Sequence, residues 1–362
     1  MTDNEFKTHH IAMTTDFIET DKPTTILISG SPSRTREIYD KLDIKEKLVE
    51  TGRALPIGKG FLERTINDEE HKIAVVVGTT GMGFGTTEIV TNEIVDTYAQ
   101  SIREQNIGLD VQINANPLNI FRVGTSGSHQ PHVYGGDVVI ASETSVPFGT
   151  LSDFVETEHD SALFHFKYGS LLTLEKALTT AQVIPGIQKS VSKLLKKVKY
   201  ALSSAEVTQS FPSDSDLASY AIEAAQVLGI DKEFVHYGQV FSKLTLFSEL
   251  SDLFTINAEG LREDRLDYRG KVMHENEVYC SEMEIGLMSA IIHQAKKLGY
   301  NIKIGGVMGV INNPREKSEA ALFGGEELEK TAVERAMNVA LETAVQAYKH
   351  QHLYKNRCIS ER

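Results

Sequence analysis

The sequence predicts an α/β fold, a single domain in which a central β-sheet is covered by helices on both faces. Three observations support this fold class. Short β-branched runs alternate along the chain with longer stretches of helical periodicity. Most of these runs are too continuously apolar to face solvent on one side, which is typical of strands covered on both faces. The chain has 362 residues and is 41% apolar, which is enough for a substantial core.

Six segments are predicted as strands because they are short, apolar and β-branched: 24–29, 73–77, 120–123, 138–141, 235–240 and 302–311. Four segments with apolar residues at helical spacing are predicted as helices: 86–105, 215–228, 282–298 and 326–348. In open sheets of this kind, ligands bind at the carboxyl ends of the strands. The residues that follow the predicted strands are therefore the candidates for a functional site.

One long connection departs from this alternation. The predicted domain covers residues 1–350, with an inserted, partly helical segment at about residues 145–210 and a C-terminal tail at 351–362. The insertion contains a basic amphipathic stretch, 190–200, in which Leu194, Leu195 and Val198 can share one helix face. Both a surface helix packed on the body and a helix that binds a membrane surface or a partner fit this pattern.

Charge and cysteine content narrow the functional class. The formal charge is −13 and the isoelectric point is about 5.4, which argues against an electrostatic search for nucleic acid or anionic lipid. Cys280 and Cys358 form no disulfide framework and fit a reducing compartment. The first residues do not follow the pattern of a secretory signal, and no apolar run is long enough to span a bilayer. These features predict a cytoplasmic protein.

The strand at 120–123 continues into the most informative motif of the chain. Arg122, Thr125 and Ser126 are interleaved with Gly124 and Gly127. A charge leaving an apolar strand needs a partner, and glycines allow backbone N–H groups to approach an anion closely. A phosphate suits a guanidinium fork together with hydroxyl and amide donors. This stretch therefore predicts a phosphate site.

Two further segments could belong to the same site. Gly30, Pro32 and Arg34 follow the first strand, although an ordinary turn also carries such residues. The glycine-rich loop 78–88 can cradle an anion at a helix N-terminus, but its spacing is not that of a dinucleotide-binding fingerprint.

Two carboxylates, Glu282 and Glu284, lie at the predicted start of a helix. Their spacing directs them to different faces, so one can be structural while the other faces a ligand such as the two hydroxyls of a ribose. Acidic residues at a helix N-terminus are also favoured by the helix dipole alone.

Taken in order, five motifs resemble the nucleoside phosphorylase-I family, and the nearest branch is the uridine phosphorylases. The motifs are Gly-Ser-Pro-Ser-Arg at 30–34, Gly-Met-Gly at 81–83, Arg-Val-Gly-Thr-Ser-Gly at 122–127, Gly-Asp-Val-Val at 136–139 and Glu-Met-Glu at 282–284. The similarity covers roughly residues 10–348 apart from the insertion. It implies a three-layer fold with a mixed sheet, and inorganic phosphate as a co-substrate with no cofactor and no metal.

The resemblance also implies roles for individual residues. Phosphate would be bound by Gly30, Arg34, Arg122 and Thr125, and by a basic residue of the neighbouring subunit, for which Lys59 is the first candidate and Arg53 and Arg64 are alternatives. The ribose would be bound by Met283 and Glu284, and by His10 reaching the 5′-hydroxyl across a subunit interface. Shared sites of this kind imply a homo-oligomer, either a dimer or a hexamer built as a trimer of dimers.

The base side is where the chain departs from the family. Phe247 can stack on a base, and Glu282 is the second predicted base-binding residue, but the Gln and Arg that read uracil in uridine phosphorylases are not found in 245–252. Purine-acting members protonate the base with an aspartate after the last core strand. Here Asn313 occupies that region, and an asparagine can donate a hydrogen bond but no proton.

These features predict phosphorolysis of a nucleoside to free base and ribose 1-phosphate. The predicted substrate is a pyrimidine nucleoside such as uridine. Arg34, Arg122 and Asn313 are the predicted catalytic residues. Two alternatives remain: a hydrolytic nucleosidase of the same fold and a non-catalytic nucleoside-binding protein. The two arginines count against the nucleosidase, because an attacking water needs no phosphate clamp.

Overall fold

The computed structural model describes residues 6–19, 21–104, 116–147, 208–243, 273–313 and 325–354. The chain divides into two compact units, residues 1–145 with 210–362 and residues 146–209. The second unit lies almost entirely outside the described residues, and so does the amphipathic stretch 190–200. The body described below is the first unit, together with the strand ends at the boundary.

The described residues contain ten strands that form one mixed sheet. The strands are β1 (Thr24–Ser29), β2 (Ile44–Val49), β3 (Ile57–Ile66), β4 (Glu69–Thr79), β5 (Leu118–Ser128), β6 (Val138–Pro147), β7 (Thr208–Pro212), β8 (Val235–Ser242), β9 (Val278–Glu282) and β10 (Ile302–Asn312). Strand β1 pairs in parallel with β4 and β5, whereas β3 is antiparallel to both β2 and β4. The predicted mixed α/β architecture is confirmed.

One half of the sheet closes on itself. Strand β10 pairs in parallel with β5 and antiparallel with β6, while β8 links β6 to β9, which returns to the end of β5. The five strands β5, β10, β6, β8 and β9 therefore form a ring, and β1, β4, β3 and β2 extend from it as an open sheet. Strand β5 belongs to both parts: it pairs with β1 through Val123 and with β9 from Gly127.

Five α-helices among the described residues cover the sheet on both faces: α1 (Pro32–Asp40), α2 (Phe84–Glu104), α3 (Ser215–Val227), α4 (Ile285–Lys297) and α5 (Glu326–Tyr348). Apolar residues of α1, α3 and α5 pack on one face. Helices α2 and α4 pack on the other, together with the N-terminal residues that include Ile11, Met13 and Phe17. None of the described helices is long and apolar enough to cross a membrane.

The helix predicted at 282–298 begins later than the sequence pattern indicates. Glu282 is the last residue of β9, where it pairs with Ser242 of β8, and the helix starts at Ile285 after Glu284 in the capping position. The two carboxylates therefore lie on a strand-to-helix corner rather than on one helix, and this corner faces the carboxyl end of β1.

Candidate active site

Arg122 is a buried cation at the point where β5 passes from the open sheet to the ring. Its backbone pairs with Ile28 of β1 on one side and with Gly306 of β10 on the other. The side chain is only 3% exposed. Its Nη1 donates to the carbonyl oxygen of Ile28 at 3.3 Å. The sequence predicts a phosphate as the partner of this charge, whereas the structure places two carboxylates, Glu282 and Glu284, beside it.

Two glycines lie against Arg122: Gly30 beside its guanidinium and Gly306 beside its Cβ. A Cβ built on Gly30 would lie 3.0 Å from Nη2 of Arg122, and a Cβ on Gly306 would lie 2.5 Å from a side-chain carbon of Ile285. Contacts this short force a neighbour to move. The Gly30 signal in the sequence therefore reflects close packing of the Arg122 side chain against the backbone after β1, in addition to any turn.

Glu284 is the direct ion-pair partner of Arg122. Its Oε2 accepts a hydrogen bond from Nη2 of Arg122, and its Oε1 accepts one from the backbone N–H of Gly83 at 3.0 Å. Burial alone would raise the pKa of this carboxyl, but the charge of Arg122 and these donors outweigh burial and lower it. Glu284 is thus an ionised carboxylate that joins the Gly81–Gly83 loop to β5.

Glu282 has a different role in the same corner. Its carboxyl accepts hydrogen bonds from the backbone N–H groups of Glu284, at 2.8 Å, and Ile285, at 2.9 Å, and from the hydroxyl of Ser242. It therefore caps α4, and its Oε2 lies 3.5 Å from Nε of Arg122. Burial, and next the charge of Glu284, raise the pKa of Glu282. The base-binding role predicted for Glu282 stays a prediction, since these contacts are all with protein groups that hold the corner in place.

Arg34 lies in the first turn of α1 and is half-buried. Burial, and next the charge of Arg122, lower the pKa of its guanidinium, so the two arginines are close enough to repel each other. Within the described part of the chain, no hydrogen bond or ion pair engages the Arg34 side chain. The site therefore combines one cation that is paired with Glu284 and a second that is not.

Thr125 and Met283 are two further residues that the sequence predicts to bind phosphate and ribose. Thr125 is half-buried on β5, beside Gly309 of β10 and three residues after Arg122. Met283 is half-buried between the two glutamates of the corner. The structure thus brings together five of the predicted residues at the junction of β1, β5 and β9: Gly30, Arg34, Arg122, Met283 and Glu284.

The three candidates for the basic residue offered to a neighbouring subunit are placed differently. Lys59 is buried, and its ammonium donates to the carbonyl oxygen of Asp16 at 2.7 Å and lies 3.5 Å from Glu19 in its own chain. Arg64 pairs with Asp43 at 2.9 Å. Arg53 is exposed. Lys59 thus fixes the N-terminal segment of its own chain, and the role predicted for it in a neighbour's site stays a prediction.

His10 is hydrogen-bonded to the turn that carries Arg53. Its carbonyl oxygen accepts a hydrogen bond from the hydroxyl of Thr51 at 2.7 Å, which joins the N-terminal segment to the turn that carries Arg53. Its Nδ1 lies 2.6 Å from a carboxylate oxygen of Glu93 on α2. His10 and the turn of Arg53, one of the two alternatives to Lys59, are thus linked through Thr51.

A family comparison decides what this arrangement belongs to. The model of the phosphorylase superfamily matches residues 24–346, which include β1, α1, Arg122 and the glutamate corner. The chain belongs to the phosphorylase superfamily. This match confirms the predicted family. No curated protein matches the sequence significantly.

Solved phosphorylases share the fold at low sequence identity. A purine nucleoside phosphorylase from Toxoplasma gondii in complex with immucillin-H has a TM-score of 0.57 and 15% identity, over 97% of this chain and 99% of that one. A Trypanosoma brucei nucleoside phosphorylase with uridine phosphorylase activity has a TM-score of 0.57 and 16% identity, over 94% of this chain and 97% of that one. A Phytophthora capsici uridine phosphorylase has a TM-score of 0.54 and 16% identity, over 94% of this chain and 96% of that one. The three-layer phosphorylase fold is thus shared with enzymes named for purine and for pyrimidine nucleosides.

The base side of this phosphorylase-superfamily chain is only partly described. Phe247 lies outside the described residues. Asn313 is buried, and its Nδ2 donates to the carbonyl oxygens of Gln130 at 3.1 Å and Val133 at 3.0 Å. Its amide group thus holds the 129–133 turn, and the catalytic role predicted for Asn313 stays a prediction. The structure does not bring Asn313 into contact with the two arginines.

Two residues that support the site escaped the sequence analysis. Ser242 ends β8, donates to Glu282 and accepts a hydrogen bond from the N–H of Gly286 at 2.7 Å, so it completes the cap of α4. Glu93 anchors His10. Neither carries a local signal: one is a serine at a strand end and the other is an acid within an amphipathic helix, and only tertiary pairing gives them their roles.

Proposed function

We propose that the chain catalyses the phosphorolysis of nucleosides, with a preference for pyrimidine nucleosides such as uridine. Inorganic phosphate is the nucleophile, and no cofactor takes part. The observation that carries this proposal is the pairing state of the two arginines. Arg122 is neutralised by Glu284, whereas Arg34 stands beside it with no protein partner among the described residues. Of these two close guanidiniums only that of Arg122 has carboxylate partners, so Arg34 favours a bound anion, and a phosphate matches its planar fork.

The proposed mechanism follows from where charge develops. As the glycosidic bond lengthens, the sugar becomes cationic and the base becomes anionic. Phosphate held by Arg34, Arg122, Thr125 and the backbone of Gly30 would stabilise the cation and attack the anomeric carbon. The arginines act mainly by positioning the nucleophile. No covalent bond to the protein is needed.

Glu284 would orient the ribose. It is ionised, because Arg122 and the N–H of Gly83 lower its pKa, and it can accept hydrogen bonds from ribose hydroxyls through its remaining lone pairs. The same carboxylate holds Arg122. Phosphate and ribose would therefore be placed relative to each other through a single ion pair, with Met283 packed beside the sugar.

The assembly belongs to the proposal as well. His10 and the turn of Arg53 share one surface, which supports a site completed by a second copy of the chain in a homodimer or a trimer of dimers. The reducing cytoplasm that the cysteine content predicts is the proposed location.

Base preference is proposed to be pyrimidine-leaning but weak. Each charge-assisted hydrogen bond to a base is worth about 1.5–3 kcal/mol, and the Gln and Arg that supply two such bonds in uridine phosphorylases were not found in the sequence. Stacking on Phe247 would supply much of the base affinity. A sharp preference for uridine over thymidine, cytidine and inosine would contradict this part of the proposal.

Product analysis tests the reaction. The protein is incubated with each nucleoside in the presence and absence of phosphate, and the sugar product is identified by NMR. Ribose 1-phosphate that forms only with phosphate supports phosphorolysis. Free ribose formed equally in both reactions would establish the hydrolytic nucleosidase, and no cleavage despite nucleoside binding would establish a binding protein.

A further inference from the structure

The carboxylate of Glu93 is surrounded by donors from the N-terminal segment. Its Oε1 lies 2.6 Å from Nδ1 of His10, and its Oε2 accepts from the backbone N–H of Ile11 at 2.9 Å. The backbone N–H of His10 donates to both oxygens, at 2.8 and 3.0 Å. Glu93 is 14% exposed and His10 is 24% exposed at the side chain. The carboxylate thus fixes both the path of the segment and the direction of the imidazole.

These contacts select one tautomer of His10. An ionised carboxylate only accepts hydrogen bonds, so Nδ1 of His10 must carry the proton. In a neutral imidazole the other nitrogen, Nε2, then has a lone pair and acts as an acceptor. Glu93 stays ionised in this position: burial would raise its pKa, but the hydrogen bonds from Ile11 and His10 outweigh burial and lower it. Within the described ranges, no residue donates to Nε2.

We infer that Glu93 is a positioning residue that holds His10 in the Nδ1–H tautomer, so that Nε2 accepts a hydrogen bond from the 5′-hydroxyl of a nucleoside bound to a second copy of the chain. The inference rests on the proposed function. It adds a direction to the contact: the substrate hydroxyl donates and the histidine accepts. A nucleoside whose 5′ group cannot donate loses this bond even when it is similar in size.

The Glu93→Gln substitution separates this role from simple anchoring. An amide has one accepting oxygen, which the N–H groups of His10 and Ile11 would retain at the Oε2 position. The NH₂ group would then face Nδ1 and donate to it, which forces the proton onto Nε2. The segment stays anchored while the ring changes tautomer. Glu104→Gln is the matched control, because Glu104 lies on the same helix and accepts from Thr15 of the same segment but does not contact His10.

The first measurement does not depend on catalysis. Histidine is labelled with ¹⁵N, the ring signals of His10 are assigned with a His10→Ala variant, and spectra are recorded at about pH 8.5, above the ordinary histidine pKa of about 6.5. The wild type and Glu104→Gln should show a protonated Nδ1, and Glu93→Gln a protonated Nε2. A Glu93→Gln protein that keeps the Nδ1–H ring would overturn the inference.

The second measurement is kinetic. At the same pH, kcat/KM is compared for a nucleoside and its 5′-deoxy and 5′-deoxy-5′-fluoro analogues. The wild type and Glu104→Gln should prefer the hydroxyl over both analogues by about tenfold, the value of one hydrogen bond. This preference should disappear in Glu93→Gln and in His10→Ala. An unchanged preference in Glu93→Gln, or a fluoro analogue as good as the hydroxyl, contradicts the inference.

The two measurements distinguish the inference from the proposed function. A wild-type protein that shows the Nδ1–H ring but cleaves no nucleoside supports the tautomer and contradicts phosphorolysis. An active enzyme in which Glu93→Gln alters neither the ring nor the 5′ preference supports phosphorolysis and contradicts the role of Glu93.

Discussion

Replacement of Arg34 by alanine tests the phosphate site with little risk to the fold. The guanidinium is half-buried, and among the described residues it makes no hydrogen bond or ion pair that the substitution would break. Its pKa is lowered by burial and by the charge of Arg122. A base whose pKa is lower in the folded state than in the unfolded state opposes folding while it is charged. At neutral pH, Arg34→Ala should therefore leave the stability unchanged or raise it.

The effect on phosphate should be large. A guanidinium fork makes two charge-assisted hydrogen bonds to a phosphate, each worth about 1.5–3 kcal/mol. The lower end applies because Arg34 is only half-buried and other ligands remain, which gives about 3 kcal/mol. A loss of this size corresponds to roughly a hundredfold in kcat/KM for phosphate. The KM for the nucleoside should change much less, because Glu284 and Arg122 remain in place.

The assay is the rate of ribose 1-phosphate formation against phosphate concentration, together with the thermal unfolding midpoint. Arg36→Ala is the control: Arg36 lies on the same helix but is exposed and pairs with Glu50. It should change neither measurement noticeably. If Arg34→Ala turns over at the wild-type phosphate KM, Arg34 does not bind phosphate, and the observation that carries the proposed function loses its meaning.

Three further predictions follow from the same geometry. Arg122→Met should lower the free energy of unfolding in urea by about 3–5 kcal/mol, because it leaves Glu284 charged and unpaired in the interior. Adding Glu284→Gln should recover part of this loss, and an unchanged urea midpoint in Arg122→Met contradicts the buried pair. The pKa of Glu282 is raised in the folded protein, so its contribution to stability is full below the unfolded pKa of about 4.3 and is lost as pH rises through the higher folded value. The free energy of unfolding in urea, measured against pH, should therefore decline less steeply in Glu282→Gln than in the wild type, and parallel curves would refute the shift. Mixed His10→Ala and Arg34→Ala subunits should recover about a quarter of the wild-type activity, since half of the dimers are hybrids with one intact site; no recovery despite proven subunit exchange argues against a shared site.

The sequence was most informative where chemistry and strand pattern coincide. Strand β1 was predicted with its observed bounds, and the cores of β4, β5 and β10 were predicted because they are buried on both faces. Strands β2 and β3 were missed. Lys45, Glu46 and Lys47 make β2 a polar, partly exposed edge, and Gly58 and Gly60 weaken the strand pattern of β3. Helix α1 was missed as well: the turn before it was recognised, but not that Pro32 is the first residue of a helix.

The site could be predicted as a set of residues but not as a set of contacts. Arg122 and Glu284 were each recognised from local motifs, yet nothing local showed that they pair with each other. The family resemblance made Lys59 the first candidate for a neighbour's site, and its contacts with Asp16 and Glu19 of its own chain became visible only in three dimensions. Local patterns encode chemistry, whereas partner choice depends on residues far apart in the chain.

This distance has a consequence for how the protein is made. Arg122 and Glu284 are separated by 162 residues, and Gly83 and Glu284 by 201. Strand β5 can pair with β1 early in synthesis, but the ring that fixes Arg122 closes only when β9 and β10 have formed. Such non-local pairing is intrinsically slow, because loop closure precedes its stabilising contacts. A nascent chain therefore presents Arg122 before Glu284 has been synthesised, and we expect the capacity to hold an anion to be among the last properties that the folding protein acquires.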